Sequence, residues 1–403
     1  MSEQPLRSYN AAAIAAALWD SADLEGAERY YLRALRETPA DMEALHGMGR
    51  LKLAQNDLAA ASIFLERALS LALQLPHTQR DELAQRIRRD LAWTLYRLDR
   101  FDLAAAHLEQ LPELQALAAQ LRAFEARPPY DVPPDVEEIV VPFLGTDPLP
   151  VISLTIGNTS HPFVIDTGSS QLVIDTGIFS EMELVSYGTH EATFASGQRA
   201  PVGYSILPEV MLGMVPVKDV PVEVMDVRRY APQISGFVGI NFLQRFHVLC
   251  DWREQLLRLR PRGNEPFVEW ARMTAIPVWF FDTHLLLAPA RLNRHETIAY
   301  LATGMAGGAF TVPQSTVEQA ALDRAEEFVE GVGAAGATAL ESLRAERLCL
   351  GEWCREDMSG FAGFFPSELE WRYGFHVGAL ISHQFLKKNK LGLDFNRLRL
   401  YLE

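Results

Sequence analysis

Two patterns of apolar residues divide the chain. Over the first 125 residues alanine and leucine recur at helical spacing, glycine is scarce and β-branched residues are few. Those features predict helices. The helical pattern also repeats. Ala27, Tyr31 and Ala34, followed by Pro39, return 34 residues later (61 minus 27) as Ala61, Leu65 and Ala68, with Gly49 twelve residues ahead of Ala61. A looser third copy holds Leu91, Ala92, Leu95, Ala104 and Leu108, after an extra segment from Leu75 to Asp90. Small residues at such positions let two helices cross closely, and large ones pack the pair on its neighbour.

The pattern changes after Ala126-Arg127-Pro128-Pro129-Tyr130-Asp131-Val132-Pro133-Pro134. Proline cannot continue a helix, so residues 126–136 read as a stiff linker. Short β-rich runs with turns between them follow. Val151 to Ile156, the turn Gly157-Asn158 and the run Pro162 to Ile165 predict a hairpin. That hairpin delivers Asp166 into the tight turn Thr167-Gly168-Ser169, and Leu172-Val173-Ile174 leaves it. A carboxylate on such a turn is rigid and partly dried, which is how an acid or base is tuned.

The β half is itself duplicated. Gly236 to Trp252 aligns without a gap on Ala379 to Phe395 at an offset of 143 (382 minus 239). Val164-Ile165-Asp166-Thr167-Gly168 aligns on Tyr300-Leu301-Ala302-Thr303-Gly304 at an offset of 136 (302 minus 166). Residues 137–262 and 274–403 are therefore two copies of one β unit. Ala302 stands where Asp166 stands in the first copy, and Ser382 where Gly239 stands.

An Asp-Thr-Gly-Ser turn followed 71 residues later (239 minus 168) by the end of Phe237-Val238-Gly239 resembles an aspartic protease lobe. The short lobes are most similar to retropepsin-like units, fused in tandem as in pepsin-like enzymes. The resemblance implies a peptidase in which each lobe gives one Asp, the pair sharing a proton to activate water and polarise the scissile carbonyl. Here it assigns Asp166 to the catalytic role and Ala302 to the second, degenerate position, and a methyl group neither accepts nor donates a proton. It implies that Thr167 and Thr303 lock the lobes, that Gly168, Ser169 and Gly304 support the turns, and that Ser196 and Gly197 belong to a flap. The flap's counterpart falls near Gly331 to Ala334. The expected function is an aspartic endopeptidase working through Asp166, or an inactive relative that binds extended peptide in the cleft. Pairing of two chains through their first lobes is disfavoured, because the fused second lobe occupies that face. The N-terminal pattern resembles tetratricopeptide repeats, which implies either a concave surface for a peptide or partner protein or a helical cap on the next domain. The fold class expected is an α-helical repeat domain plus an all-β, two-lobed protease-like domain.

Other candidates change little. Asp175-Thr176-Gly177 repeats the tripeptide but reads as turn chemistry. Asp251 and Asp394 occupy equivalent places and read as structural. Cys349, Cys354, His376 and His383 are zinc-ligand types at a spacing that fits no zinc knuckle, so no metal and no cofactor is expected. The net charge of −15 argues against nucleic acid or an anionic membrane as partner. Three cysteines make no disulfide framework, which fits a reducing, cytoplasmic setting.

Overall fold

The computed structural model describes residues 10–124, 127–194, 198–333, 336–387 and 390–403. The N-terminal region is helical, from Ala11–Asp20 through to Gln115–Arg122. Asp23 and Asp41 open helices by accepting the N–H three residues on, at 2.8 and 3.0 Å, satisfying donors that a helix start leaves free. The repeated small residues mark the tight crossings. Ala27, Ala34, Ala61 and Ala68 are buried, and a Cβ added at Gly49 would lie 2.5 Å from the Leu65 side chain. Among the described residues no helix is long and apolar enough to cross a membrane.

The remainder is mostly β. The first half contains β1 (Ile139–Gly145), β2 (Val151–Ile156), β3 (Thr159–Ile165), β4 (Leu172–Asp175), β5 (Thr189–Thr193), β6 (Arg199–Leu212), β7 (Val215–Met225), β8 (Gly236–Val238), β9 (Phe246–Asp251) and β10 (Leu256–Pro261). The second contains β11 (Thr274–Pro277), β12 (Trp279–Phe281), β13 (Leu285–Leu292), β14 (His295–Ala302), β15 (Phe310–Val312), β16 (Asp323–Gly333), β17 (Gly336–Leu350), β18 (Trp353–Ala362), β19 (Val377–Ser382), β20 (Lys390–Asp394) and β21 (Arg399–Leu402). In each half an apolar strand lies between two others. β8 runs between β3 and β4, and β19 between β14 and β15. The strands that end in the two Thr-Gly turns, β3 and β14, each run parallel to that central strand.

The halves share a sheet. The order β11-β21-β20-β9-β10-β1 is continuous, with three strands from each half. At its middle, β9 and β20 pair antiparallel with Leu249 opposite Gly392. Those two residues differ by the repeat offset of 143 (392 minus 249), so an approximate two-fold axis passes between them. Asp251 and Asp394 behave alike at the strand ends. Asp251 accepts the N–H groups of Arg253 and Glu254 at 3.1 and 3.0 Å, and Asp394 those of Asn396 and Arg397 at 2.9 and 3.1 Å.

Two expectations change. The proline-rich segment is not a free spacer. Tyr130 is buried and donates its N–H to Asp219 O at 3.0 Å, and Asp131 N–H donates to Lys218 O at 2.9 Å. The helices beyond it lie on the β halves. Tyr96, Phe101 and Leu117 share one apolar core with Ile165 and Leu172, while Trp19 and Tyr31 share another with Phe281, Tyr300 and Ala302. Buried amides and guanidinium groups cross the boundary. Gln120 Nε2 donates to Ser205 O at 2.6 Å and Val222 O at 3.0 Å. Arg97 donates to Phe280 O at 2.8 Å and lies over the Phe280 ring. Cys349 and Cys354, expected as thiols, face each other across β17 and β18 and form a disulfide; Cys250 is free and buried.

Candidate active-site cleft

The apolar residues of β3 are drawn into the core, and that burial places Asp166 at the strand's C-terminal end. Its N–H donates to Val238 O of β8 at 3.1 Å. β14 places Ala302 in the same way. The two turns meet through their threonines. Thr167 N–H donates to Thr303 Oγ1 at 3.0 Å, and Thr303 N–H donates to Thr167 Oγ1 at 3.1 Å. Each hydroxyl then donates across, Thr167 to Leu301 O at 2.8 Å and Thr303 to Ile165 O at 2.7 Å. Both threonines are buried. Four reciprocal bonds fix the distance between the two turns.

Asp166 collects donors from both halves. Its Oδ1 accepts Gly168 N–H at 2.7 Å from its own turn and Gly304 N–H at 2.9 Å from the opposite one. Its Oδ2 accepts the Ser169 hydroxyl at 2.8 Å. By the repeat, Gly304 N–H is the donor that a carboxylate at position 302 would use. With Ala302 there, Asp166 takes both amides. The carboxylate lies so close that a Cβ at Gly304 would sit 2.2 Å from Asp166 Cγ, so only glycine fits. Burial raises the Asp166 pKa from its ordinary value, against the lowering effect of these three hydrogen bonds. Tyr300, two residues before Ala302, donates its hydroxyl to Gly168 O at 2.9 Å, and burial and the nearby Asp166 push its pKa well up.

Above the turns lies a cavity of about 1170 Å³. Asp166, Ala302 and Gly304 form its floor, β5 to β7 one wall, and the helical region contributes Trp93, Tyr96 and Leu117.

Residues 152–242 match the sequence model of the family described as aspartyl protease. The chain carries an aspartic-protease-like domain. Among solved structures it is similar to a retropepsin-like aspartic protease from Rickettsia conorii, at 19% identity over 33% of this chain and 96% of that one, with a TM-score of 0.23. No curated protein matches the chain.

Within the aspartic-protease-like domain, Asp166, Thr167, Gly168, Ser169, Ala302, Thr303 and Gly304 come together at the cavity floor. Ser196 and Gly197 lie outside the described residues; the strands before and after them, β5 and β6, pair antiparallel. Of the counterpart expected in the second half, Gly331, Val332 and Gly333 end β16, which pairs with β17, and Gly331 lines the cavity; Ala334 lies outside the described residues. Asp175 is the turn residue expected of it, accepting Gly177 N–H at 2.8 Å at a helix start. Ser382 likewise opens a helix, accepting Gln384 N–H at 3.0 Å. His376 and His383 contact other partners than the cysteines: His383 Nε2 lies 2.6 Å from Thr146 O, and His376 Nε2 lies 3.3 Å from Glu370. Sequence reasoning missed Glu223, Tyr204, Tyr300 and the helical residues lining the cavity. Only Glu223 left a signal, as the one charge inside the apolar run Val220-Pro221-Val222-Glu223-Val224-Met225.

Proposed function

We propose that this chain takes extended peptide into a protease-type cleft and holds it there without the paired carboxylates that peptide hydrolysis uses. The observation that carries this reading is Ala302 opposite Asp166, with Gly304 N–H already given to Asp166. Peptide hydrolysis needs one carboxylate to take a proton from water and a second acid to polarise the carbonyl. Asp166 can serve as the first; no side chain at position 302 serves as the second. The cleft keeps what binding needs, namely a large cavity and hairpin arms beside it that can pair with an added strand. The N-terminal helices, read as tetratricopeptide-like, act as a cap that helps line the cleft rather than as a free docking surface.

A second reading, endopeptidase action by Asp166 alone, draws support from that carboxylate's place at the cavity floor with a raised pKa. Mixed unstructured peptides, assayed for binding and cleavage from pH 4 to 7 with wild type and Asp166→Asn, separate the two. Binding without cleavage supports holding. Cleavage that disappears in Asp166→Asn supports hydrolysis. No binding by either protein would sink both.

A further inference from the structure

The wall of the cavity beside Asp166 is one face of a sheet. Val173 of β4 stands opposite Glu223 of β7, and Glu223 opposite Tyr204 of β6. Around them the face is apolar: Val173, Val202, Met225 and Val227 form a buried cluster, with Phe237 against it. A carboxylate in such a place is costly unless it is paired. Glu223 accepts one hydrogen bond, from Ser170 Oγ at 2.6 Å, and no lysine or arginine pairs with it among the described residues. Tyr204 is only 6% exposed, lines the same cavity, and its hydroxyl has no hydrogen-bond partner among the described residues. Two polar groups therefore face the cavity side by side, a carboxyl whose pKa burial raises and a hydroxyl with no hydrogen-bond partner among the described residues.

The charge of the whole lining points the same way. Among the described residues, carboxylates of Glu113, Asp166, Glu191, Glu223, Asp282 and Glu368 border the cavity against one guanidinium, Arg372. Arg372 is already paired with Asp282 at 2.8 Å, and Glu113 with Arg89. His190 and His284 add no charge at neutral pH, because burial lowers the pKa of each, that of His284 to about 4. Among the described residues the lining acids without a cationic partner are Asp166, Glu191, Glu223 and Glu368. Burial raises the pKa of Asp166 and of Glu223, and a cation seated beside Glu223 would oppose that rise and favour its ionised form.

We propose that the cavity selects peptides with a basic side chain, lysine or arginine, whose cationic end seats on Glu223 and Tyr204 while its methylene stem lies along Val173 and Met225. The proposal rests on the peptide-binding reading of the cleft and adds the substrate class. A cation there supplies the missing partner of Glu223, and the apolar face accepts the stem, as long basic side chains allow.

The test uses the full chain and fluorescein-labelled unstructured nonapeptides, checked for integrity by mass spectrometry. One lysine is scanned through an apolar background, and each lysine peptide is compared with its acetyl-lysine and methionine counterparts. Wild type should bind the best lysine peptide at least about tenfold more tightly than either neutral counterpart. Glu223→Gln should bring that ratio to within about threefold. Equal binding of charged and neutral peptides by wild type overturns the basic preference while leaving the peptide cleft standing. A preference that persists in folded Glu223→Gln overturns the seat on Glu223. Absence of binding by every peptide removes the cleft reading itself. The acetyl-lysine comparison needs no protein variant, so it decides the preference even where Glu223→Gln fails to fold.

Discussion

Gly304 N–H has one carboxylate to serve where the repeat provides room for two. Ala302→Asp should supply the other. The new carboxylate would face Asp166 in a dried site, and two like charges there hold one proton to higher pH than either alone. The pair should titrate in two coupled steps, and cleavage of unstructured peptides at mildly acidic pH should rise by at least about 100-fold, the usual worth of an added general acid. A folded variant with neither change would mean that position 302 is not the second catalytic place. Asp166 itself makes a pH prediction. Burial raises its pKa, so the folded chain holds that proton more tightly than the unfolded one. The resulting stability is full below the unfolded-chain value and is lost as pH rises through the folded-state value. At neutral pH the buried carboxylate is therefore a liability that a neutral amide lacks. Asp166→Asn should melt higher than wild type at pH 7, with the gain fading toward about pH 3, where the unfolded carboxyl is also protonated. Equal or lower melting at pH 7 would mean that the three hydrogen bonds outweigh burial. Asp166 and Ala302 were legible in the sequence because a turn motif announces itself locally. Glu223 showed only as one charge in an apolar run, because its meaning depends on Ser170 and Tyr204, distant in sequence and brought beside it by the sheet.

Between strands the reciprocal threonine bonds decide how well the two turns hold. Thr303→Val removes the acceptor for Thr167 N–H and the donor to Ile165 O, both buried. The loss should be about 2–4 kcal/mol in denaturant unfolding, whereas Thr303→Ser, which keeps the hydroxyl, should cost under about 1.5 kcal/mol. Equal effects of the two would show that the methyl matters as much as the hydroxyl. Gly239→Ala should be worse tolerated than Ser382→Ala. A Cβ at Gly239 would sit 2.2 Å from Gln171 O, a backbone atom, whereas position 382 already carries a side chain. The gap-free repeat made the two halves and their turns readable, since each copy reinforces the other. The pairing of Cys349 with Cys354 was not readable, because it depends on the register of β17 against β18.

Across the molecule, the helices and sheets should unfold together. Gln120 gives its amide to two strand carbonyls and exchanges hydrogen bonds with Gln171, all of it buried. Gln120→Leu would strand those carbonyls and should lower stability by about 2–3 kcal/mol. Calorimetry of wild type should show one transition; a separate, earlier melting of the helices would contradict a shared core. Composition separated a helical part from a β part and left a cap on the next domain as one of two readings, yet the residues that make the docking stayed hidden, since Trp19, Arg97 and Gln120 look like ordinary helix residues until their partners are known. One consequence of the continuous sheet through Leu249 and Gly392 concerns inheritance. In an assembly of two identical chains, a single codon sets both turns, and any change strikes the pair at once. Here the halves are written separately and joined permanently, so one turn can give up its acid while the other keeps it. The asymmetry of Asp166 and Ala302 is a form of divergence closed to a pair of identical chains.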